Sequence, residues 1–113
     1  KVMGTSLYAS CIYYSKKEAD GDVLKVYKNV KIDNRESELK RFPGEEIVYI
    51  VNATSAYNAP EDEKFNHLVV LTNSATGWKL YRFNVIGQTP EIETEPVFVY
   101  SGKGTAGYVM LRK

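Results

Sequence analysis

The sequence predicts an all-β fold of antiparallel sheets, and three observations predict it. Nine tyrosines among many valines and isoleucines give the aromatic and β-branched composition that suits a pleated surface. Two pairs of strand-length runs are each joined through a turn-forming stretch, one holding Asp20-Gly21 and the other Ser74-Ala-Thr-Gly77. No segment sustains the helical period over several turns.

The clearest element is the hairpin over residues 67–85. His67-Leu-Val-Val-Leu-Thr-Asn73 is apolar, and Trp78-Lys-Leu-Tyr-Arg-Phe-Asn-Val85 alternates in character. Upstream, residues 7–14 read as a first strand, residues 15–22 as a polar loop, and residues 23–30 as a second strand. Residues 33–42 are charged and offer Leu39 and Phe42 three apart, as one helical turn or a loop would, before Pro43-Gly44. Residues 46–52 form a β-rich run apolar enough to be covered on both faces. Residues 53–66 are a long polar insertion in which Pro60, followed by Glu61-Asp-Glu63, suits the start of a short helical turn. Residues 86–95 are a loop by composition, and residues 96–100 are a strand led by a proline. Residues 101–107 are small and flexible, and residues 108–111 make a last strand. The expected total is seven strands.

The chain of 113 residues fits one domain with one core, a single all-β unit over 1–113. An apolar share of 43% and a charged share of 26% are those of a folded protein. Fifteen basic residues against fourteen acidic ones leave a net charge of +1, which gives no electrostatic reason to expect nucleic acid or an anionic membrane as partner. Cys11 is the only cysteine, so an intrachain disulfide and a cysteine-based zinc site are excluded. Its apolar setting marks a buried thiol. No apolar run has the length of a membrane-spanning helix. The chain starts at Lys1 without an initiator methionine and stops at Lys113, which predicts a segment processed or excised from something longer.

The sequence also repeats itself. Cys11-Ile-Tyr-Tyr leads to Asp22-Val-Leu-Lys-Val-Tyr-Lys-Asn-Val30, and Leu68-Val-Val-Leu leads to Gly77-Trp-Lys-Leu-Tyr-Arg-Phe-Asn-Val85. A proline and a β-rich run follow each, giving halves 1–54 and 55–113. The offset is roughly fifty residues, a length that fits β-propeller blades better than helical repeats. The expected architecture is therefore two propeller-type blades, with a seven-strand β-sandwich as the alternative. A blade has two apolar faces, so two blades alone leave faces open to the rest of a longer chain or to self-association.

Three stretches carry a family resemblance: Phe42-Pro-Gly-Glu-Glu-Ile-Val-Tyr-Ile50, Leu68-Val-Val-Leu-Thr-Asn-Ser-Ala-Thr-Gly-Trp-Lys-Leu-Tyr81 and Gly104-Thr-Ala-Gly-Tyr-Val-Met-Leu111. In texture they resemble the propeller-like region of Bacteroidetes PKD-like family surface lipoproteins. The resemblance implies an outer-surface location and a binding role beside glycan or nutrient capture. The family's lipidated N-terminal cysteine and N-terminal sandwich domains have no counterpart in these residues.

Catalytic chemistry is thinly represented, and no cofactor is expected. His67 is the only histidine and opens an apolar strand, where a structural position outweighs a role as base. Glu61, Asp62, Glu63, Glu91, Glu93 and Glu95 are the candidates for a glycosidase pair, but all lie in polar loops where acids are normally solvated. Asp20-Gly-Asp22 lacks the other ligands of a calcium loop. Ser101-Gly-Lys-Gly-Thr105 lacks the spacing of a phosphate loop. The functional lead is aromatic: Trp78, Tyr57 and Tyr108, in or beside turns, are placed to stack on sugar rings, with packing between sheets as the structural alternative for Trp78. Tyr13, Tyr14, Tyr27, Tyr49, Tyr81 and Tyr100 read as core and cross-strand pairs. The expected role is non-catalytic binding or scaffolding in an exported surface protein, towards glycan or another surface protein. A self-contained protein–protein interaction module is the alternative, and a glycan hydrolase fragment the more distant one.

Overall fold

The computed structural model describes residues 3–5, 11–28, 36–56, 58–86 and 91–107. They form eight strands: β1 Met3–Thr5, β2 Cys11–Glu18, β3 Gly21–Lys28, β4 Glu36–Pro43, β5 Glu45–Thr54, β6 Asn66–Ser74, β7 Gly77–Asn84 and β8 Phe98–Gly102. They make two four-stranded antiparallel sheets in simple meander order, β1-β2-β3-β4 and β5-β6-β7-β8, neither closed into a barrel. The all-β antiparallel class is as the composition predicts.

Both central hairpins turn through two residues. Glu18 pairs with Gly21 around Ala19 and Asp20, and Ser74 pairs with Gly77 around Ala75 and Thr76. The two glycines occupy the same place: φ is +146° at Gly21 and +136° at Gly77. A side chain at either would collide with a fourth-strand carbonyl, that of Phe42 or that of Gly102. Only glycine accepts both constraints. The expected polar loop at 15–22 is therefore mostly strand. Ser15 through Glu18 continue β2: Ser15 is buried, and Lys16 and Lys17 lie at the sheet rim, where water reaches both faces.

The expected helical turn at 33–42 is the edge strand β4. Its register against β3 shifts between Leu24 and Lys25, so Leu39 is the extra residue of a bulge. The bulge turns Leu39 and Phe42 to the same side despite their three-residue spacing. The same device recurs in β5, where a shift between Ile47 and Tyr49 leaves Ile47 and Ile50 both facing the core. Six of the seven expected strands are among these eight, and β1 and β4 are the two that were not expected. Residues 7–10 of the expected strand 7–14, and the expected strand at 108–111, lie outside the described residues. The 3₁₀ turn Glu61–Glu63 follows Pro60 as expected, and it is fully exposed.

One core lies between the sheets. Cys11, Tyr13, Leu24, Val26, Leu39 and Phe42 from the first meet Ile47, Ile50, Leu68, Val70, Tyr81 and Phe83 from the second. Phe42 is its keystone, edge-on to Tyr81 at 5.1 Å and to Phe83 at 6.3 Å. Such contacts add to the ~1.5–3 kcal/mol that burial of a large apolar side chain contributes. Buried Asp22 accepts a hydrogen bond from the Ile47 amide at 2.9 Å, joining β3 to β5 across the layers. At the other end Lys40 donates to the Thr94 carbonyl at 3.1 Å, and Lys28 lies 3.9 Å from Glu91.

The two sheets use opposite faces of the repeat. Counting from the hairpin pair, Ile12–Tyr27 in the first sheet is equivalent to Leu68–Phe83 in the second. Leu68 and Phe83 are fully buried between the sheets, whereas Ile12 and Tyr27 are each 39% exposed on the far side of theirs. The face that the second sheet packs inward is the face that the first turns outward.

Candidate functional site

The outer face of the second sheet holds the candidate Trp78 together with two further aromatic side chains, Phe98 and Tyr100. On β7 and β8, Trp78 pairs with Gly102, Leu80 with Tyr100, and Arg82 with Phe98. Strand alternation sends all six to the side away from the core. Phe98 and Tyr100, two residues apart, hold their rings 4.7 Å centre to centre. The Arg82 guanidinium sits 4.6 Å over the Phe98 ring, a cation–π contact. Tyr100 is 59% exposed. Behind this strip Leu71 and Val69, both buried, and Tyr49 lie on the same side of β6 and β5.

Trp78 is half-buried, and it does not pack between the sheets. Its indole lies against Gly102, where a side chain on that residue would sit. Covering a strand glycine with a cross-strand aromatic compensates for the packing the glycine cannot supply. The pair borders an open groove with Ser74, Thr76 and Lys103. Beside it, Asn73 donates to the Ala106 carbonyl at 2.8 Å and accepts from the Ala106 amide at 3.0 Å, pinning the chain after β8.

Of the other two aromatic candidates, Tyr57 and Tyr108 lie outside the described residues. The in-strand tyrosines divide. Tyr13 and Tyr81 are core, and Tyr14 is buried on the first sheet's outer face against Glu36, to which its hydroxyl donates. Burial, then the Glu36 contact, pushes Tyr14 up to about 12. Burial and the acceptor Glu45 likewise raise Tyr81, whose hydroxyl donates at 2.6 Å. Tyr27 and Tyr100 stand in cross-strand pairs, with Ile12 and Leu80, but on exposed faces rather than in the core. Tyr100 and Phe98 share the candidate face with Trp78, which the sequence reading did not anticipate. Their signal was the Pro96-led strand, since a proline marks an edge and an edge strand presents one face to solvent.

The catalytic candidates do not assemble. His67 stacks on Phe65 at 5.3 Å, with burial and the charge of Arg82 lowering its pKa. Glu61, Asp62 and Glu63 are exposed, Glu61 paired with Lys64 at 3.2 Å. Glu91, Glu93 and Glu95 are exposed on another segment. A second groove, lined by Ser15, Lys16, Lys17, Asp22, Glu46 and Ile47, contains none of these. Its buried carboxylate, Asp22, is engaged by the Ile47 amide. Among the described residues no three of His, Cys, Asp and Glu gather as metal ligands, and no helix is long and apolar enough to cross a membrane.

Comparison with protein-family models, with curated proteins and with solved structures finds no match to this chain.

Proposed function

We propose that the chain is a non-catalytic binding or scaffold segment of an exported bacterial surface protein, working through the aromatic outer face of its second sheet. One observation carries the reading: Trp78, Tyr100 and Phe98 occupy successive cross-strand ranks on that face, and Tyr100 has the highest exposure among the large apolar side chains described. Rows of flat rings beside the polar Arg82, with Lys103 at the groove by Trp78, suit the apolar faces and hydroxyls of sugars, so the ligand class is glycan. The resemblance to surface lipoproteins supports the location. The meander order of each sheet and their opposite-face packing support the finer reading as two propeller-type blades.

The test is affinity electrophoresis of the chain through gels containing a panel of polysaccharides. The expected result is retardation by at least one polysaccharide, lost in Trp78→Ala and weakened in Tyr100→Ala. Passage through the whole panel without retardation, or retardation that ignores both substitutions, contradicts the reading.

The exposed Ile12–Tyr27 pair on the opposite side favours a second reading, a module that contacts protein through its sheet faces.

A further inference from the structure

The two outer faces of the molecule are counterparts of the two faces already packed together inside it. From this we infer that the chain associates with a second copy of itself head to tail, the first sheet's outer face of one copy docking on the second sheet's outer face of the next. The inference rests on the reading that this chain works through its sheet faces, and it names the partner.

One apolar rank on each outer face has its counterpart within the chain. On the first sheet's outer face, Ile12–Tyr27 stands where Leu68–Phe83 stands on the second sheet's inner face, and Tyr14–Lys25 stands where Val70–Tyr81 does. On the second sheet's outer face, Leu71–Leu80 stands where Ser15–Leu24 stands on the first sheet's inner face. Inside the molecule Leu68, Phe83 and Val70 share one core with the first sheet's Leu24 and Val26. Docking the exposed Ile12 and Tyr27 of one copy on Leu80 and Tyr100 of the next repeats that stacking once more.

Had the sheets packed through the same face of the repeat, the core would have used up that face on both and left two alike. Opposite-face packing instead leaves two unlike, complementary faces. Unlike faces give a heterologous contact, which closes into a ring when the rotation per copy allows and otherwise runs on as a filament. Rings of stacked four-stranded sheets close at about 4–8 sheets, or about two to four copies of this chain.

Exposed residues make the faces separable. Tyr27→Glu blocks the first sheet's outer face, and Tyr100→Glu blocks the second sheet's. Each replaced ring is at least 39% exposed, so the core is untouched. Light scattering of the wild-type chain over a concentration series should show a mass that rises above the monomer. Each variant alone should stay monomeric with wild-type circular dichroism. A one-to-one mixture should give a particle of twice the variant mass, because each supplies the face the other lacks. Ile12→Lys serves as the first-face block if Tyr27→Glu fails to fold. A wild type that stays monomeric at every concentration overturns the inference, as does self-association by either variant alone or a mixture that remains monomeric. The polysaccharide panel run on the monomeric Tyr27→Glu variant, whose second outer face is intact, reports on glycan binding separately.

Discussion

Trp78 lies across Gly102, its registered partner on the neighbouring strand, and the indole fills the space that a side chain at 102 would need. Gly102→Ala should therefore push the ring outward without breaking the backbone. We expect a red shift in tryptophan emission and a loss of about 1 kcal/mol, at the low end for an overpacked site. Gly77→Ala should cost more, by about 1–3 kcal/mol of backbone strain alone. There the conflict is with a fixed carbonyl and a φ of +136°, and neither can rotate away. Urea unfolding of the two variants checks the order.

Asp22 holds β5 to the first sheet through the Ile47 amide. Asp22→Ala leaves that buried donor without an acceptor and should lower stability by about 1–3 kcal/mol. Asp22→Asn keeps a carbonyl oxygen to accept the bond and should lose less. The urea midpoints should fall in that order at constant slope.

Phe42 touches Tyr81 and Phe83 from the opposite sheet. Phe42→Ala should cost about 3–5 kcal/mol, the range for deleting a buried ring. Because that ring belongs to both layers, calorimetry should show one transition moved to lower temperature.

Tyrosine ionisation should couple to unfolding at high pH. Tyr14 titrates near 12 in the folded chain against 10.0 for a free phenol, and Tyr81 is raised further. Their contribution is fully present below pH 10 and is lost as the pH rises through 10 towards 12. Absorbance at the tyrosinate band should show these side chains ionising together with loss of the far-ultraviolet signal. Glu36→Gln removes a charge that opposes Tyr14 ionisation, so part of that signal should move to lower pH. His67 acts at the other end. Its pKa is lowered below 6.5, so its contribution is present above pH 6.5 and lost as the pH falls.

The two hairpins were legible because local chemistry determines them: a turn glycine, alternation, and aromatic strands on either side. β4 was not legible. A bulge inserts Leu39 and gives Leu39 and Phe42 a helical spacing, while the charges of Glu36, Glu38, Lys40 and Arg41 belong to an edge that water reaches. The repeat was visible as similar words, but the words align out of step with the structure. Lys25-Val-Tyr27 matched Lys79-Leu-Tyr81 in sequence, whereas the turns make Tyr27 the counterpart of Phe83. That shift of two keeps the face the same and moves the rank, so the exposure of Tyr27 could not be read from Tyr81. Trp78 was singled out for lying beside a turn. Its alignment with Tyr100 and Phe98 depends on the register of β7 against β8, which only the folded sheet supplies.

As the sole tryptophan, Trp78 reports on the second sheet's outer face without interference. The most direct measurement is acrylamide quenching of its fluorescence, first across a rising protein concentration and then with the polysaccharide panel at low concentration. If that face is the working surface, quenching should fall as the face becomes covered, and Tyr100→Glu should weaken the effect. Quenching that stays constant through both series would contradict the account.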